Sequence, residues 1–327
     1  MASPNKLFTA NDLPVLTRVL SEADLKFVDI GGRGAAFPPL LPFARFARYY
    51  VFEPDVPEAA RLEEEFALTQ TWRSVVVIAE AVGRARGTAS LYLTENPGMS
   101  SLLEPDPAVV RRLCVWRKFR VESVSQVPVV PLDEAADRHG FLDATFLKLD
   151  TQGTELDILQ GGTRTLESVV GIYAEAAFQP LYKGQALFSD LDSYLRSHGF
   201  ALFSLERTML RRARFSKTMY SRRMVAWAHC LYLREPETLA GSETEPGRRL
   251  AGLMASSLAF HQYDLALEVA GALEQAQLLG APEVRELRSE VKRCAASRMD
   301  FVGARARTTG LEEHLMDRSF RDKTYAE

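Results

Sequence analysis

Lys26-Phe-Val-Asp-Ile-Gly-Gly-Arg-Gly34 decides the fold: an apolar run of strand character passes directly into a glycine turn. Glycines at such a turn let the backbone approach a ligand and let the following element start close to the sheet. Working outward, Tyr49-Tyr-Val-Phe52 reads as a second strand stopped by Glu53-Pro54-Asp55, and Val75 to Ala79 as a buried third strand. Between them, Ala35 to Arg48 reads as a loop running into a helix, and Pro57 to Leu68 as a helix. Strands alternating with helical patterns predict βαβ units and a mostly parallel sheet.

The rest of the chain extends that pattern. Gly87 to Leu93 alternates like a strand, and Phe146 to Asp150 and Val169 to Ala177 are apolar strands. Helices are expected from Thr154 and from Gln185 to His198. Ala201 to Leu205 and Val225 to Leu233 form a strand pair with no helix between them, so a terminal antiparallel strand is expected. Composition shifts after Pro236, and three helical patterns follow. The expected units are a helical lead-in (1–24), the sheet domain (25–236), a small C-terminal all-α domain (247–305) and a charged tail (306–327).

Three acids mark the ligand end of the sheet. Asp29 is a carboxylate inside an apolar strand, where burial is costly without a partner. It suits a ligand with cationic groups, such as the sulfonium and ammonium of S-adenosylmethionine (SAM), and would repel a pyrophosphate. Glu53, ending the second strand, is placed to accept hydrogen bonds from both ribose hydroxyls of an adenosine ligand. Glu80 and Ala81, after the third strand, are candidates to line the adenine. The glycines Gly31, Gly32 and Gly34 complete the candidate cofactor site. No lysine-bearing phosphate loop is present.

The segment Phe146-Leu-Lys-Leu-Asp-Thr-Gln-Gly-Thr-Glu-Leu-Asp-Ile-Leu-Gln-Gly-Gly162 resembles the signature of the FkbM-type methyltransferases, Lys-x-Asp-x-Gln-Gly-x-Glu. The resemblance runs in order through Asp29 to Gly34, Phe52 to Asp55, Ser100 to Leu102, Pro131 to Glu134, and Glu175 with Pro180 to Tyr182. It departs at Ala35, where a third glycine is expected. It implies a Rossmann-like SAM-dependent methyltransferase sheet and transfer of the SAM methyl group, usually to a hydroxyl oxygen of a sugar, glycan or secondary metabolite. A nicotinamide-dependent oxidoreductase accounts for the glycine turn and Glu53 but gives Asp29 and the signature no role. A catalytically inactive methyltransferase-fold scaffold is the other alternative.

For chemistry, Asp150 ends a strand at the edge where open α/β sheets bind ligands. It is the candidate general base or metal ligand, with an N-cap or a salt bridge to Lys148 as the structural alternative. Glu175 ends the next strand and would meet Asp150 across the cleft; two convergent acids either raise one pKa or hold a divalent metal ion. Glu155 is expected to complement the helix dipole, and Gln152 and Gly153 to shape the loop. Ser101 is a candidate to close over the cofactor, and Tyr182 and Gln185 to contact the acceptor. His139, His198 and His229 read as structural, since none has a partner at metal or triad spacing.

The bulk numbers agree with a globular α/β chain: 327 residues, 46% hydrophobic and 25% charged. A net charge of -3 gives no pull toward nucleic acid. The basic stretch Arg207 to Arg223 reads as a solvated loop, with an anionic substrate as the alternative. Three scattered cysteines and the lack of a signal or membrane-spanning pattern predict a reducing, cytoplasmic setting. A homodimer or partner contact through the C-terminal helices is the remaining expectation about association.

Overall fold

The computed structural model describes residues 13–214, 222–241 and 245–309. The chain enters through helix α1 (Pro14–Glu22) and strand β1 (Leu25–Ile30), then a 3-10 stretch at Pro38–Phe46. β2 (Ala47–Phe52), α2 (Val56–Thr69) and β3 (Ser74–Ile78) complete the first half of the main sheet. A smaller unit follows: β4 (Ala81–Gly83), β5 (Gly87–Thr94), α3 (Pro107–Arg112) and β6 (Val121–Pro131). Next come α4 (Leu132–His139), β7 (Phe146–Leu149), α5 (Glu155–Gln160), α6 (Thr163–Ser168), β8 (Gly171–Ala177) and α7 (Phe188–Ser197). The sheet closes with β9 (Ala201–Leu210) and β10 (Met224–Leu233), and the chain ends in α8 (Pro236–Ala240), α9 (Pro246–Ala259), α10 (Tyr263–Gln275) and α11 (Ala281–Thr309).

The seven-stranded sheet has the order β3-β2-β1-β7-β8-β10-β9. Pairs among the first five strands are parallel, and β10 runs antiparallel to both neighbours. This is an α/β methyltransferase fold with one reversed strand, as the pairing of the last two apolar runs predicts. Strand order turns back between β1 and β7, and a crevice opens there at the carboxyl ends of the strands.

Both faces of this sheet are covered, so its inner strands read as nearly unbroken apolar runs. One face carries Val28, Ile30, Leu147, Leu149 and Ile172 and packs on Leu132, Ala136, Ile158, Leu166 and Leu195 from α4 to α7. The opposite face carries Phe27, Val51, Phe146, Val170 and Leu231 and packs on α1, α2 and the C-terminal helices. β3 differs from the buried strand expected. Its side chains alternate because only one face of this edge strand is covered: Val75 and Val77 pack on the core, while Ser74 and Val76 are exposed.

The three-stranded sheet β4-β6-β5 was legible only through its β5 member. β6 escapes a sequence reading because prolines at 128 and 131 interrupt an otherwise strand-like run, and proline removes a ladder donor. Pro128 faces Thr88 across the pair.

The C-terminal helices close over the sheet. Every residue of α9 from Leu250 to Ala259 is buried, and Gly252 lets the helix approach Thr145. Glu290, fully buried on α11, accepts hydrogen bonds from the amides of Val15 (3.0 Å) and Leu16 (2.7 Å), capping the unsatisfied first turn of α1. Truncating Leu250 or Leu253 at this seam would cost about 2–5 kcal/mol each. No described helix is long and apolar enough to cross a membrane. The central residues of the basic segment (215–221), much of the linker (242–244) and most of the charged tail (310–327) lie outside the described residues.

Candidate active site

The glycine turn builds the crevice floor. The amides of Gly31 and Gly32 both donate to the Phe52 carbonyl, at 3.0 and 3.1 Å, and Asp150 donates its amide to the Ile30 carbonyl at 3.1 Å. Gly31 has φ +81°, and a Cβ there would stand 2.1 Å from the Asp150 carbonyl oxygen. Glycine at this position therefore brings the β1 and β7 ends together.

Above that floor lies a cavity of about 380 Å³, within the range of small-molecule sites. Its polar wall carries Gly31, Arg33, Glu53, Glu80, Lys148, Asp150 and Ser101. Its apolar wall carries Ala81, Val82, Leu91, Leu93, Pro97 and Leu102, largely from the small sheet. Glu53 is 4% exposed and accepts the Asp55 amide at 2.9 Å, with Arg33 Nε 3.6 Å away. Burial pushes its carboxyl above the ordinary range, against the pull of the Asp55 amide and Arg33. Arg33 also binds Asp55 directly. Glu80 accepts both of its hydrogen bonds from Arg138, at 2.7 and 2.8 Å. Ser101 donates to the Gln152 carbonyl at 2.9 Å, tying the Ser100–Leu102 loop to the signature loop.

Asp29 does not line this cavity. It is 2% exposed, accepts a hydrogen bond from the Tyr49 hydroxyl (2.5 Å) and pairs with Lys148 (2.9 Å). Lys148 also donates to the Gly31 carbonyl at 2.7 Å. Burial works to lower the Lys148 pKa, but Asp29, Asp150 and Glu175 outweigh it and keep the ammonium charged. Gly32 packs against Val51 and Asp29, and Gly34 donates its amide to Glu58 (2.9 Å) and accepts from Arg61 (2.8 Å).

The signature loop organises a second cluster. Glu155 is buried and accepts the amides of Thr151 (2.8 Å) and Gly153 (3.0 Å) and the Thr151 hydroxyl (3.0 Å), so it closes the loop at its own helix start. Gln152 turns its amide inward and donates to Asp150 Oδ1 (2.8 Å) and Glu175 Oε1 (3.0 Å). His229 Nε2 lies 3.8 Å from Asp150 Oδ2 and 3.7 Å from Glu175 Oε2. Tyr173 stacks on the His229 ring at 5.4 Å and 11°. Burial, with the negative charges of Asp150 and Glu155, drives the Glu175 carboxyl well above the ordinary range. Asp150 moves the other way: Lys148 and His229 overcome its desolvation and hold it ionised.

The structure thus brings Asp150 and Glu175 together, as expected, and adds His229, which has no partner at metal or triad spacing along the sequence. The signal for His229 lies in the pairing of β8 with β10, which sets it opposite Glu175; no pattern within one strand contains it. Tyr182 and Gln185 sit differently from expectation. Tyr182 is 1% exposed, with its hydroxyl bonded to the Met99 carbonyl (2.9 Å) and beside Gln152 Oε1 (3.1 Å). Gln185 accepts the amides of Leu181 (2.9 Å) and Tyr182 (3.2 Å) and backs Gly153. Both support the loops around the cluster. His139 and His198 lie away from it; His198 Nδ1 bonds the Tyr194 carbonyl at 2.8 Å.

A crevice at the switch point of a seven-stranded sheet, with a glycine turn and a buried acid after β2, is where open α/β sheets of the methyltransferase class bind their ligands. Residues 34–202 match the methyltransferase FkbM domain, and the chain belongs to that family of SAM-dependent methyltransferases. It is 25% identical over 174 residues to the 2-O-methyltransferase NoeI of Sinorhizobium fredii (strain NBRC 101917 / NGR234), a match covering 52% of this chain and 70% of that protein. The solved structure of methyltransferase FkbM from Methylobacillus flagellatus KT aligns with 17% identity and a TM-score of 0.38, over 64% of this chain. The alignment covers 44% of that chain, less than half its length.

The residues present fit SAM. A buried carboxylate at the end of β2 faces the cavity with one oxygen held by a backbone amide, the arrangement a ribose diol requires. Ala81, Val82, Leu91 and Leu102 offer the apolar lining that an adenine face needs.

Proposed function

We propose that the protein transfers the methyl group of SAM to a hydroxyl oxygen, on a sugar, glycan or secondary-metabolite acceptor. The observation that carries this reading is the position of Asp150. It forms part of the cofactor cavity and, through Gln152, part of the cluster with Glu175 and His229.

In this reading Glu53 holds the ribose, and Ala81, Val82 and Leu102 hold the adenine. Arg33 closes over Glu53 from the solvent side. SAM supplies an electrophilic methyl group on a sulfonium that departs as a neutral thioether. The acceptor hydroxyl must lose a proton as its oxygen attacks, and a positioned base contributes about 10²–10⁴-fold. Asp150, with Glu175 and His229 beside it, holds that hydroxyl and accepts its proton. Gln152 fixes the two carboxylates, and Tyr173 fixes the imidazole. The alignment of acceptor, methyl group and base supplies much of the remaining acceleration. The name of the Sinorhizobium relative, a 2-O-methyltransferase, agrees with an oxygen acceptor.

The test is calorimetric titration with SAM, its demethylated product and NADH, followed by product release assays over a panel of hydroxyl acceptors. Binding of SAM and its product but not NADH, with turnover on a hydroxylated acceptor, is the expected result. Turnover confined to amine or carbon acceptors would overturn the oxygen assignment.

A further inference from the structure

The charge count around the signature loop is incomplete. Four carboxylates gather there: Asp29, Asp150, Glu155 and Glu175. Asp29 is matched by Lys148, and Glu155 by two backbone amides and a hydroxyl. Asp150 and Glu175 share one neutral amide, that of Gln152, which occupies only Oδ1 of the first and Oε1 of the second. Glu175 is 8% exposed, yet its Oε2 takes no hydrogen bond among the described residues; His229 Nε2 lies 3.7 Å from it. Asp150 Oδ2 stands in the same relation to His229, at 3.8 Å.

Two carboxylate oxygens and an imidazole nitrogen therefore converge on one point. One ligand atom from each of Asp150, Glu175 and His229 lies within 4.8 Å of the other two. A triangle with sides no longer than that has a centre within roughly 2.8 Å of every corner, so a shift of about half an ångström reaches the ~2.0–2.3 Å of metal–ligand bonds. The supports behind these atoms are those a metal site needs. Gln152 fixes the outer carboxylate oxygens, and Tyr173 stacks on the imidazole.

We propose that Asp150, Glu175 and His229 form a three-ligand site for a divalent transition-metal ion, with open coordination positions for the hydroxyl oxygens of the acceptor. The mixed oxygen and nitrogen donors favour manganese, iron, cobalt or zinc over calcium. The site itself is independent of the acceptor; its use in catalysis rests on the hydroxyl-transfer reading above. There the ion gives the acceptor a fixed point of attachment and lowers the pKa of the bound hydroxyl. Asp150 then acts by holding the ion in place of accepting the proton, which passes from the bound hydroxyl to water.

The experiment is a titration of Mn²⁺ alone into the full chain, without SAM, followed by the electron paramagnetic resonance signal of the free ion. Wild type is expected to remove one equivalent from solution. Asp150→Asn, Glu175→Gln and His229→Ala should each weaken binding at least ~10-fold, and Gln152→Ala by about 10-fold. Circular dichroism identifies the variants that fold, and His229→Gln stands in for the alanine if that variant does not. A wild-type protein that leaves the free-ion signal undiminished overturns the site. So does a folded triple variant that binds Mn²⁺ as tightly as wild type. SAM binding without Mn²⁺ binding overturns only the metal site. Mn²⁺ binding by a protein that fails to bind SAM overturns only the methyl-transfer reading.

Discussion

Lys148 Nζ stands 2.9 Å from Asp29 Oδ1, joining β7 to β1 through a buried ion pair directly beneath the glycine turn. The pair sits where strand order reverses, and the same ammonium holds the Gly31 carbonyl. Removing one partner leaves a buried charge without its counter-ion, which costs about 3–5 kcal/mol. Asp29→Ala should fall at the low end, since Asp150 remains near the ammonium. The denaturant midpoint measures this, and a loss below ~1 kcal/mol would show that the pair does not hold the turn.

Glu53 should set cofactor affinity directly. Glu53→Ala removes charged hydrogen-bond acceptors worth about 1.5–3 kcal/mol, so the SAM dissociation constant should rise by at least ~10-fold in calorimetry. The pH dependence has a definite sign. Burial raises the Glu53 pKa above its usual 4.5, and the ionised form is the better acceptor. Affinity should therefore fall as pH drops through that raised pKa. Glu53→Gln should bind weakly with no such dependence.

Gly31→Ala tests the close approach of β1 and β7. The added Cβ would meet the Asp150 carbonyl oxygen at 2.1 Å on a backbone with φ +81°. The variant should displace Asp150, and misplacement of a reacting group by ~1 Å costs up to about 10²-fold in rate. Turnover should fall more than melting temperature predicts. A fully active Gly31→Ala enzyme would remove the argument for that contact.

The main sheet was legible because each of its inner strands is covered on both faces and so reads as an apolar run with its own boundary signals. The small sheet was not, since β6 carries prolines and an exposed outer half. The cavity wall was legible where a residue's place follows from a strand end, as for Glu53, Glu80, Ala81 and Asp150. Asp29 was legible as a buried acid in need of a cation, but that cation proved to be Lys148. Two residues apart from Asp150 on the same strand, Lys148 points to the same face, yet its partner lies on the neighbouring strand. His229 and the inward turn of Gln152 depend on register and loop conformation. A linear pattern holds neither.

Glu175 should give the metal-free protein a recognisable stability profile. Its pKa lies above 4.5 in the folded state because of burial and the adjacent Asp150. Such a group contributes stability that is complete below pH 4.5 and is lost as pH rises through the folded pKa. Glu175→Gln lacks that loss. In the presence of a chelator, the variant should gain on wild type as pH increases above 4.5, measured by urea midpoints across the range. A difference that stays constant with pH would mean Glu175 titrates normally.

Asp150→Ala separates binding from chemistry. Asp150 borders the cavity, but in the proposed reading Glu53 and the apolar slot hold the adenosine. SAM affinity should change by less than about 5-fold, a loss below ~1 kcal/mol. Turnover should fall by about 10²–10⁴-fold, the contribution of a positioned base or of the ion it holds. Asp150→Asn keeps the hydrogen bond to Gln152 within reach, so its cofactor affinity should match wild type while its turnover stays low. Because Asp150 stands between the candidate cofactor cavity and the Glu175–His229 pair, a folded alanine variant with full turnover would place the acceptor elsewhere on the sheet edge.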